Sequence, residues 1–131
     1  MDTHTTLLLR KYRGVLLDTS FVIQCVDYGR DIYEELMGNL GLEPVVPDAV
    51  LRELQGLTRA KGLKGRKAAM ALKLINRCRI IDSGVSSADE ALLKLSGGGE
   101  YIVATTDSRL RRILKERARS SRSRPSASSS G

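Results

Sequence analysis

The stretch VLLDTSFVI, residues 15–23, decides how the chain is expected to fold. It begins with an uninterrupted apolar run and turns polar at Asp18, Thr19 and Ser20. An apolar run this short, without alternating polar residues, is typical of a strand buried on both faces of a sheet. The polar triplet predicts a turn at the carboxyl end of that strand. Similar short runs predict further strands at Pro44–Val46, Arg79–Asp82 and Tyr101–Ala104.

Helical patterns separate the predicted strands. Apolar residues there repeat at intervals of three and four, and residues typical of helix ends flank the repeats. We expect Pro47 to be the first residue of one helix, and Ser87 to begin another, with Glu90 at the capping-box spacing. Strands that alternate with helices predict a three-layer α/β/α sandwich around a mainly parallel four-stranded sheet. The remaining helices are expected at Arg30–Leu40, Arg66–Arg77 and Ser108–Ala118.

The composition bounds the class of protein. A chain of 131 residues with 41% hydrophobic residues can form one domain, and with only 4% aromatic residues its core is expected to be aliphatic. No apolar run approaches the roughly 18 residues of a membrane span, so no membrane association is expected. Cys25 and Cys78 are isolated, which argues against a disulfide framework and a cysteine zinc site. A cytoplasmic location follows as the expectation.

The net charge of +7 is confined to the end of the chain. Residues 1–107 hold 14 basic and 14 acidic residues, whereas residues 108–131 hold eight basic and one acidic. Residues 120–131 are rich in serine and arginine and nearly free of apolar residues, so we expect a disordered tail there. The folded domain is expected to span residues 1–119, with residues 1–12 flexible.

Four acidic residues flank the predicted strands. Asp18 follows the first strand, Glu53 lies on the helix after the second, Asp89 lies in the first turn of the helix before the fourth, and Asp107 follows the fourth. Each has an ordinary structural explanation, as a helix cap, a first-turn acid or, for Glu53, a peripheral ion pair. In a parallel α/β sheet, however, these positions converge at one end.

Carboxylates that converge repel one another unless a cation neutralises them. Mg²⁺ and Mn²⁺ prefer such oxygen ligands, and carboxylate-held Mg²⁺ is the usual machinery of phosphodiester hydrolysis. The single histidine, His4, lies near the N-terminus. Its position argues against a Ser-His-Asp triad, a histidine-rich zinc site and histidine acid–base catalysis of RNA cleavage.

Four segments of the chain, in order and spacing, resemble the four acidic motifs of the PIN domain. The resemblance covers about Val15 to Ala118. The pattern Pro-x-x-Val-x-x-Glu-Leu, a basic glycine-rich insert and VATTD resemble the branch that processes ribosomal RNA more than the VapC-type toxins. The four segments are VLLDTSFVI (Val15–Ile23), VVPDAVLREL (Val45–Leu54), SADEALLKL (Ser87–Leu95) and YIVATTDSRLRRIL (Tyr101–Leu114).

The resemblance implies an endoribonuclease that cleaves single-stranded RNA with Mg²⁺ or Mn²⁺, possible substrates including precursor ribosomal RNA. It assigns metal binding and catalysis to Asp18, Glu53, Asp89 and Asp107. Ser20 matches a small polar residue that supports the site, and Thr105 matches a threonine whose hydroxyl helps to hold Asp107 or the scissile phosphate. The alternatives are a VapC-type toxin that cuts tRNA or mRNA, and a non-catalytic module that binds RNA or a processing complex.

Two clusters of basic residues are candidates for RNA contacts. The first lies in the glycine-rich insert, residues 56–67, and the second lies on the last helix, next to Asp107. Such residues could hold phosphates beside an acidic site, although a solvated loop or helix face has the same composition. The candidates are Lys61, Lys64, Arg66, Lys67, Arg109 and Arg112.

The chain departs from the PIN pattern after its last helix. PIN domains usually continue into a fifth short apolar strand, and here a serine- and arginine-rich segment follows instead. We therefore expect Tyr101–Ala104 to be an edge strand with unpaired backbone groups. A partner or a second copy of the chain could supply the strand, a loop could cover the edge, or the sequence could be truncated or altered there. A homo-oligomer or a ribosome-assembly partner is thus a possible associate.

Overall fold

The computed structural model describes residues 12–123. Its sheet has four strands, all parallel, in the order β3-β2-β1-β4. Residues 1–11 and 124–131 lie outside the described residues. The flexibility predicted for the N-terminal segment and most of the predicted disordered tail fall on these residues. The predicted sheet is confirmed. Its strands are β1 (Gly14–Leu17), β2 (Glu43–Pro47), β3 (Arg79–Ile81) and β4 (Tyr101–Ala104).

Helices cover both faces of the sheet. Side chains of β1 alternate between the two faces, as the strand repeat requires. Val15 and Leu17 pack in one core cluster with the helices α1, α2 and α3, and Leu16 packs in a second cluster with α4 and α5. These two cores confirm the three-layer sandwich. The helices are α1 (Thr19–Tyr28), α2 (Asp48–Leu57), α3 (Leu63–Leu74), α4 (Ala88–Ser96) and α5 (Ser108–Ser123).

The core is aliphatic, as the composition predicts. The buried apolar side chains are Val, Leu, Ile, Ala, Pro and Cys, and Tyr12 and Phe21 only pack against the margin of the first cluster. Both cysteines are buried free thiols, and burial raises the pKa of Cys78 to about 11. None of the helices in residues 12–123 has the length and apolar character that crossing a bilayer requires.

The turn predicted at Asp18–Ser20 is wrong, because a helix begins there. Helix α1 starts at Thr19, directly after β1, and the Asp18 side chain caps it. The β-branched and aromatic residues of SFVI mask a helical pattern whose inward positions include Val22 and Cys25. Tertiary packing of that apolar face overrides its modest helix propensity.

The expected helix Arg30–Leu40 is also different in form. Its main part, Glu34–Asn39, is a π-helix, which is a wider coil than the α-helix that apolar residues four positions apart predict. Gly41 ends the segment with φ +69°, the left-handed conformation in which glycine commonly terminates helices.

Three helices also have boundaries that differ from the predicted ones. Pro47 ends β2 and precedes α2, whose first residue is Asp48. Helix α3 begins at Leu63 and ends at Leu74, so both of its ends lie three residues earlier in the chain than predicted. Helix α5 continues to Ser123, so the first four residues of the predicted tail are helical; arginine favours helix, and no proline interrupts the run.

Strand β4 lies at the edge of the sheet, as expected. Within residues 12–123 it pairs only with β1, from Gly14 opposite Tyr101 to Leu17 opposite Ala104. The Arg13 amide extends this contact by donating to the Glu100 carbonyl (2.7 Å). The carboxyl ends of β1 and β4 therefore lie side by side.

Two helical glycines should respond oppositely to substitution by alanine. A Cβ at buried Gly65 would overlap the backbone carbonyl of Ala60, whereas a Cβ at exposed Gly56 meets nothing within 4 Å. We expect Gly65→Ala to lower the free energy of unfolding by about 1–3 kcal/mol. Gly56→Ala should raise it by about 0.5–1 kcal/mol. Urea unfolding of both variants checks this, and equal effects would contradict the tight packing at Gly65.

Candidate active site

One cleft brings all four predicted acids together. Asp18 lies at the end of β1 and Asp107 three residues after β4, while Glu53 and Asp89 come from α2 and α4. The cleft has a volume of about 420 Å³. Its lining residues are Asp18, Thr19, Ser20, Glu53, Ser87, Ala88, Asp89 and Asp107.

Three helices begin at this cleft. Asp18 caps α1, Ser87 caps α4 by accepting from the Glu90 amide, and Asp107 caps α5 by accepting from the Arg109 amide (2.9 Å). Helix N-termini carry partial positive charge and favour anions. They therefore stabilise carboxylates that would otherwise repel one another, and they also favour an incoming phosphate.

Asp18 is the most strongly fixed of the four acids. Its side chain is buried, with 6% of the residue exposed. One carboxylate oxygen, Oδ1, accepts from the Thr19 amide (2.8 Å). The other, Oδ2, accepts from the hydroxyls of Ser20 (3.0 Å) and Thr105 (2.6 Å). Three donors thus compensate the burial of this charge.

Thr105 supports Asp18 rather than the Asp107 carboxylate. Its hydroxyl donates to Asp18 and accepts from the backbone amide of Asp107 (3.0 Å). The Ser20 hydroxyl, besides donating to Asp18, accepts from the Thr106 amide (3.2 Å). The two hydroxyl residues therefore join the end of β1 to the segment that follows β4.

Glu53 is exposed but has a specific partner. The Thr19 hydroxyl donates to Glu53 Oε1 over 2.6 Å, although the two residues are 34 positions apart. Sequence reasoning anticipated that a carboxylate beside the apolar stripe of α2 needs a partner, but it did not identify Thr19. The feature of the sequence that could have identified this partner is the hydroxyl residue directly after Asp18.

The Asp89 side chain is exposed and makes no hydrogen bond or ion pair with any other described residue. A network of hydrogen bonds around Asp48, which sequence reasoning also missed, holds the loop that precedes α4. Asp48 Oδ1 accepts from the amide (3.0 Å) and the hydroxyl (2.7 Å) of Ser83. Lys94 donates to the Ser83 carbonyl (2.7 Å), and Arg52 donates to the Val85 carbonyl (3.0 Å). These bonds fix the path of the chain into α4.

The four carboxylates share the cleft without forming a closed cage. Among the described residues, no three Asp, Glu, His or Cys side chains lie close enough together to hold a metal ion as they stand. The side chains that line the cleft offer carboxylate and hydroxyl oxygens as ligands, and among the described residues no lysine, arginine, histidine or cysteine lines it. The donor set suits a hard divalent cation that keeps some of its water.

The predicted RNA contacts fall into two places. Arg109 and Arg112 are exposed on the first two turns of α5, which starts at the cleft. The insert is exposed at Lys61, Lys64 and Arg66 but does not line the cleft.

The remaining insert residue is held by an ion pair. Lys67 pairs with Asp27 on α1 (2.7 Å). At the α-helical rise, Asp27 lies about 12 Å along α1 from Thr19. The structure therefore separates Lys67 from the acidic cleft.

A family model described as PIN like domain matches residues 15–120. The chain belongs to the PIN domain family. Ribonuclease VapC4 of Methanocaldococcus jannaschii is 30% identical over 110 residues, which span 78% of this chain and 82% of that protein. The solved structure of the PIN domain endonuclease Utp24 matches with a TM-score of 0.65 at 25% identity, over 77% of this chain and 76% of that one. The PIN resemblance inferred from the four motifs is confirmed.

Asp48 should make the stability of this PIN domain depend on pH. Hydrogen bonds from Ser83, first from its hydroxyl and then from its amide, hold the pKa of Asp48 well below its usual range. A carboxylate with a lowered pKa stabilises the fold above its unfolded pKa of about 3.9, and that contribution is lost as the pH falls further. We expect Asp48→Asn to be less stable than wild type at pH 7, with the difference shrinking below about pH 4.

Urea unfolding at several pH values measures this difference. Thr58→Val is the control, because it removes a hydrogen bond to the Gln55 carbonyl that involves no ionisable group, so its difference from wild type should not change with pH. A difference between Asp48→Asn and wild type that stays constant on acidification would contradict the assignment.

Proposed function

We propose that the protein is a metal-dependent endoribonuclease that hydrolyses phosphodiester bonds of single-stranded RNA. The observation that carries the proposal is the single cleft that all four acids line, in a chain of the PIN family. Ribonuclease VapC4 and the endonuclease Utp24, both nucleases by name, support the same reaction class.

Asp18, Glu53, Asp89 and Asp107 would hold Mg²⁺ or Mn²⁺. Mg²⁺ is usually bound through one or two carboxylates, with water and substrate phosphates completing its shell. Carboxylates that share a cleft without a closed cage are compatible with that mode of binding. When bound, the ion supplies an activated water and neutralises charge on the phosphate.

The chain's own groups divide the remaining work. Asp18 is held rigid by Thr19, Ser20 and Thr105, so its oxygens keep a fixed direction. The N-termini of α1, α4 and α5 favour a phosphate in the cleft. The Asp89 side chain has no partner among the described residues, so both of its carboxylate oxygens remain for the ion.

Removal of the metal should stop cleavage, and replacement of Asp18 should strongly reduce it. With a single-stranded oligoribonucleotide and Mn²⁺, we expect EDTA to stop cleavage. Asp18→Asn should lower turnover about 100-fold or more, since loss of one stabilising group in an active site has that scale. Glu90→Gln, which removes a neighbouring acid of Asp89 outside the cleft, is the matched control. Cleavage that continues in EDTA, or an Asp18→Asn variant with turnover close to that of wild type, would reject the proposal.

The basic start of α5 should contribute to RNA affinity. We expect Arg109→Ala and Arg112→Ala each to raise the KM for RNA and to reduce the slope of log affinity against log salt by about 0.7, the value for one lost phosphate contact on a single strand. Lys73→Ala removes an exposed charge from α3 as the control. The same measurement on Lys64→Ala tests the insert. If the slope of log affinity against log salt is unchanged in both arginine variants, α5 does not contact the RNA.

The RNA target distinguishes two roles. The motif pattern around Pro47 and the VATTD segment favour ribosomal-RNA processing, whereas the similarity to ribonuclease VapC4 favours a toxin-type nuclease. Comparing cleavage of precursor ribosomal RNA with cleavage of tRNA and mRNA separates them. Binding without cleavage of any of these would support a non-catalytic module. We propose a cytoplasmic location, where RNA is present and the two cysteines would stay reduced.

A further inference from the structure

Thr19 contacts two of the four acids at once. Its amide donates to Asp18 Oδ1 (2.8 Å), and its hydroxyl donates to Glu53 Oε1 (2.6 Å). Only 9% of the residue is exposed, although it lines the cleft. It is the first residue of α1, so its backbone is fixed by the helix and by the cap at Asp18.

The Thr19 hydroxyl restricts an otherwise free side chain. Glu53 is exposed on α2 and has several rotatable bonds, whereas threonine is branched at Cβ and has few side-chain conformations. Within the described residues, the Thr19 hydroxyl is the hydrogen-bond partner of Glu53, and Oε2 has none. One oxygen is therefore anchored, and the other is left for a ligand in the cleft.

We propose that Thr19 is a positioning residue that holds Glu53 beside Asp18 so that the two carboxylates are presented together to a divalent cation. The inference rests on the proposed metal-dependent nuclease. In this inference Thr19 does not touch the ion or the RNA, but it sets the direction of the Glu53 carboxylate that binds the ion. Carboxylates that bind metals are usually oriented in this way by a hydrogen bond from a neighbouring group.

Two substitutions separate the hydroxyl from the shape of the side chain. Thr19→Val keeps the branched shape and removes the donor, and Thr19→Ser keeps the donor. Thr58→Val is the matched control, because the Thr58 hydroxyl also donates over 2.6 Å, to the Gln55 carbonyl, and does not line the cleft. All variants are made in the full chain. Thermal unfolding in EDTA shows whether each keeps its fold.

Calorimetric titration with MnCl₂ in the absence of RNA is the first measurement. We expect Thr19→Val to weaken Mn²⁺ binding about 10- to 100-fold, while Thr19→Ser and Thr58→Val stay within about threefold of wild type. In the cleavage assay, the Mn²⁺ concentration for half-maximal rate should rise for Thr19→Val. Its KM for RNA at saturating Mn²⁺ should stay unchanged.

The outcomes distinguish this inference from the proposed function. If wild type binds Mn²⁺ and cleaves RNA while Thr19→Val binds Mn²⁺ equally well, the role of Thr19 is rejected and the nuclease stands. Weakened binding that Thr19→Ser does not restore also rejects it, since the hydroxyl is then not the cause. If wild type neither binds Mn²⁺ nor cleaves RNA, the nuclease and the role of Thr19 are rejected together.

Discussion

The hydrogen bonds that converge on the Asp18 carboxylate are the constraint on which the site depends. They bring together the end of β1, the start of α1 and the segment after β4. The backbone amide of Asp18 also donates to the Ala104 carbonyl (3.0 Å), which continues the pairing of β1 with β4 to the edge of the cleft. A buried carboxylate is costly unless its oxygens are satisfied, so these contacts fix the local geometry as well as the charge.

The cleft also resolves an electrostatic difficulty. Four carboxylates gather in a body whose basic and acidic residues balance through Asp107. None of the described basic side chains lines the cleft. Compensation comes from backbone dipoles at three helix N-termini and, at Asp18, from the hydroxyls of Ser20 and Thr105. Of the basic residues that follow Asp107, Arg109 and Arg112 are exposed on the first two turns of α5, which starts at the cleft.

The sequence was sufficient to predict the sheet and the convergence of the four acids, because parallel strands place their carboxyl ends together. It was insufficient for α1, whose β-branched and aromatic start resembles a strand more than a helix. The partners Thr19 and Asp48 were also missed, since each bonds to a residue more than 30 positions away. Such contacts depend on how α2 packs, which no local pattern records. The basic insert shows the same limit, because composition alone did not distinguish Lys67, paired with Asp27, from its exposed neighbours.

The edge position of β4 has a consequence for how the site can be lost. Within residues 12–123 this strand is held in the sheet by β1 alone, and it leads directly to Thr105 and Asp107. Local opening of an edge element requires less free energy than global unfolding. Separation of β4 would withdraw the Thr105 hydroxyl from Asp18 and the Asp107 carboxylate from the cleft, while β1, β2 and β3 remain paired. The integrity of the site is therefore set by the local stability of one short strand rather than by that of the whole domain.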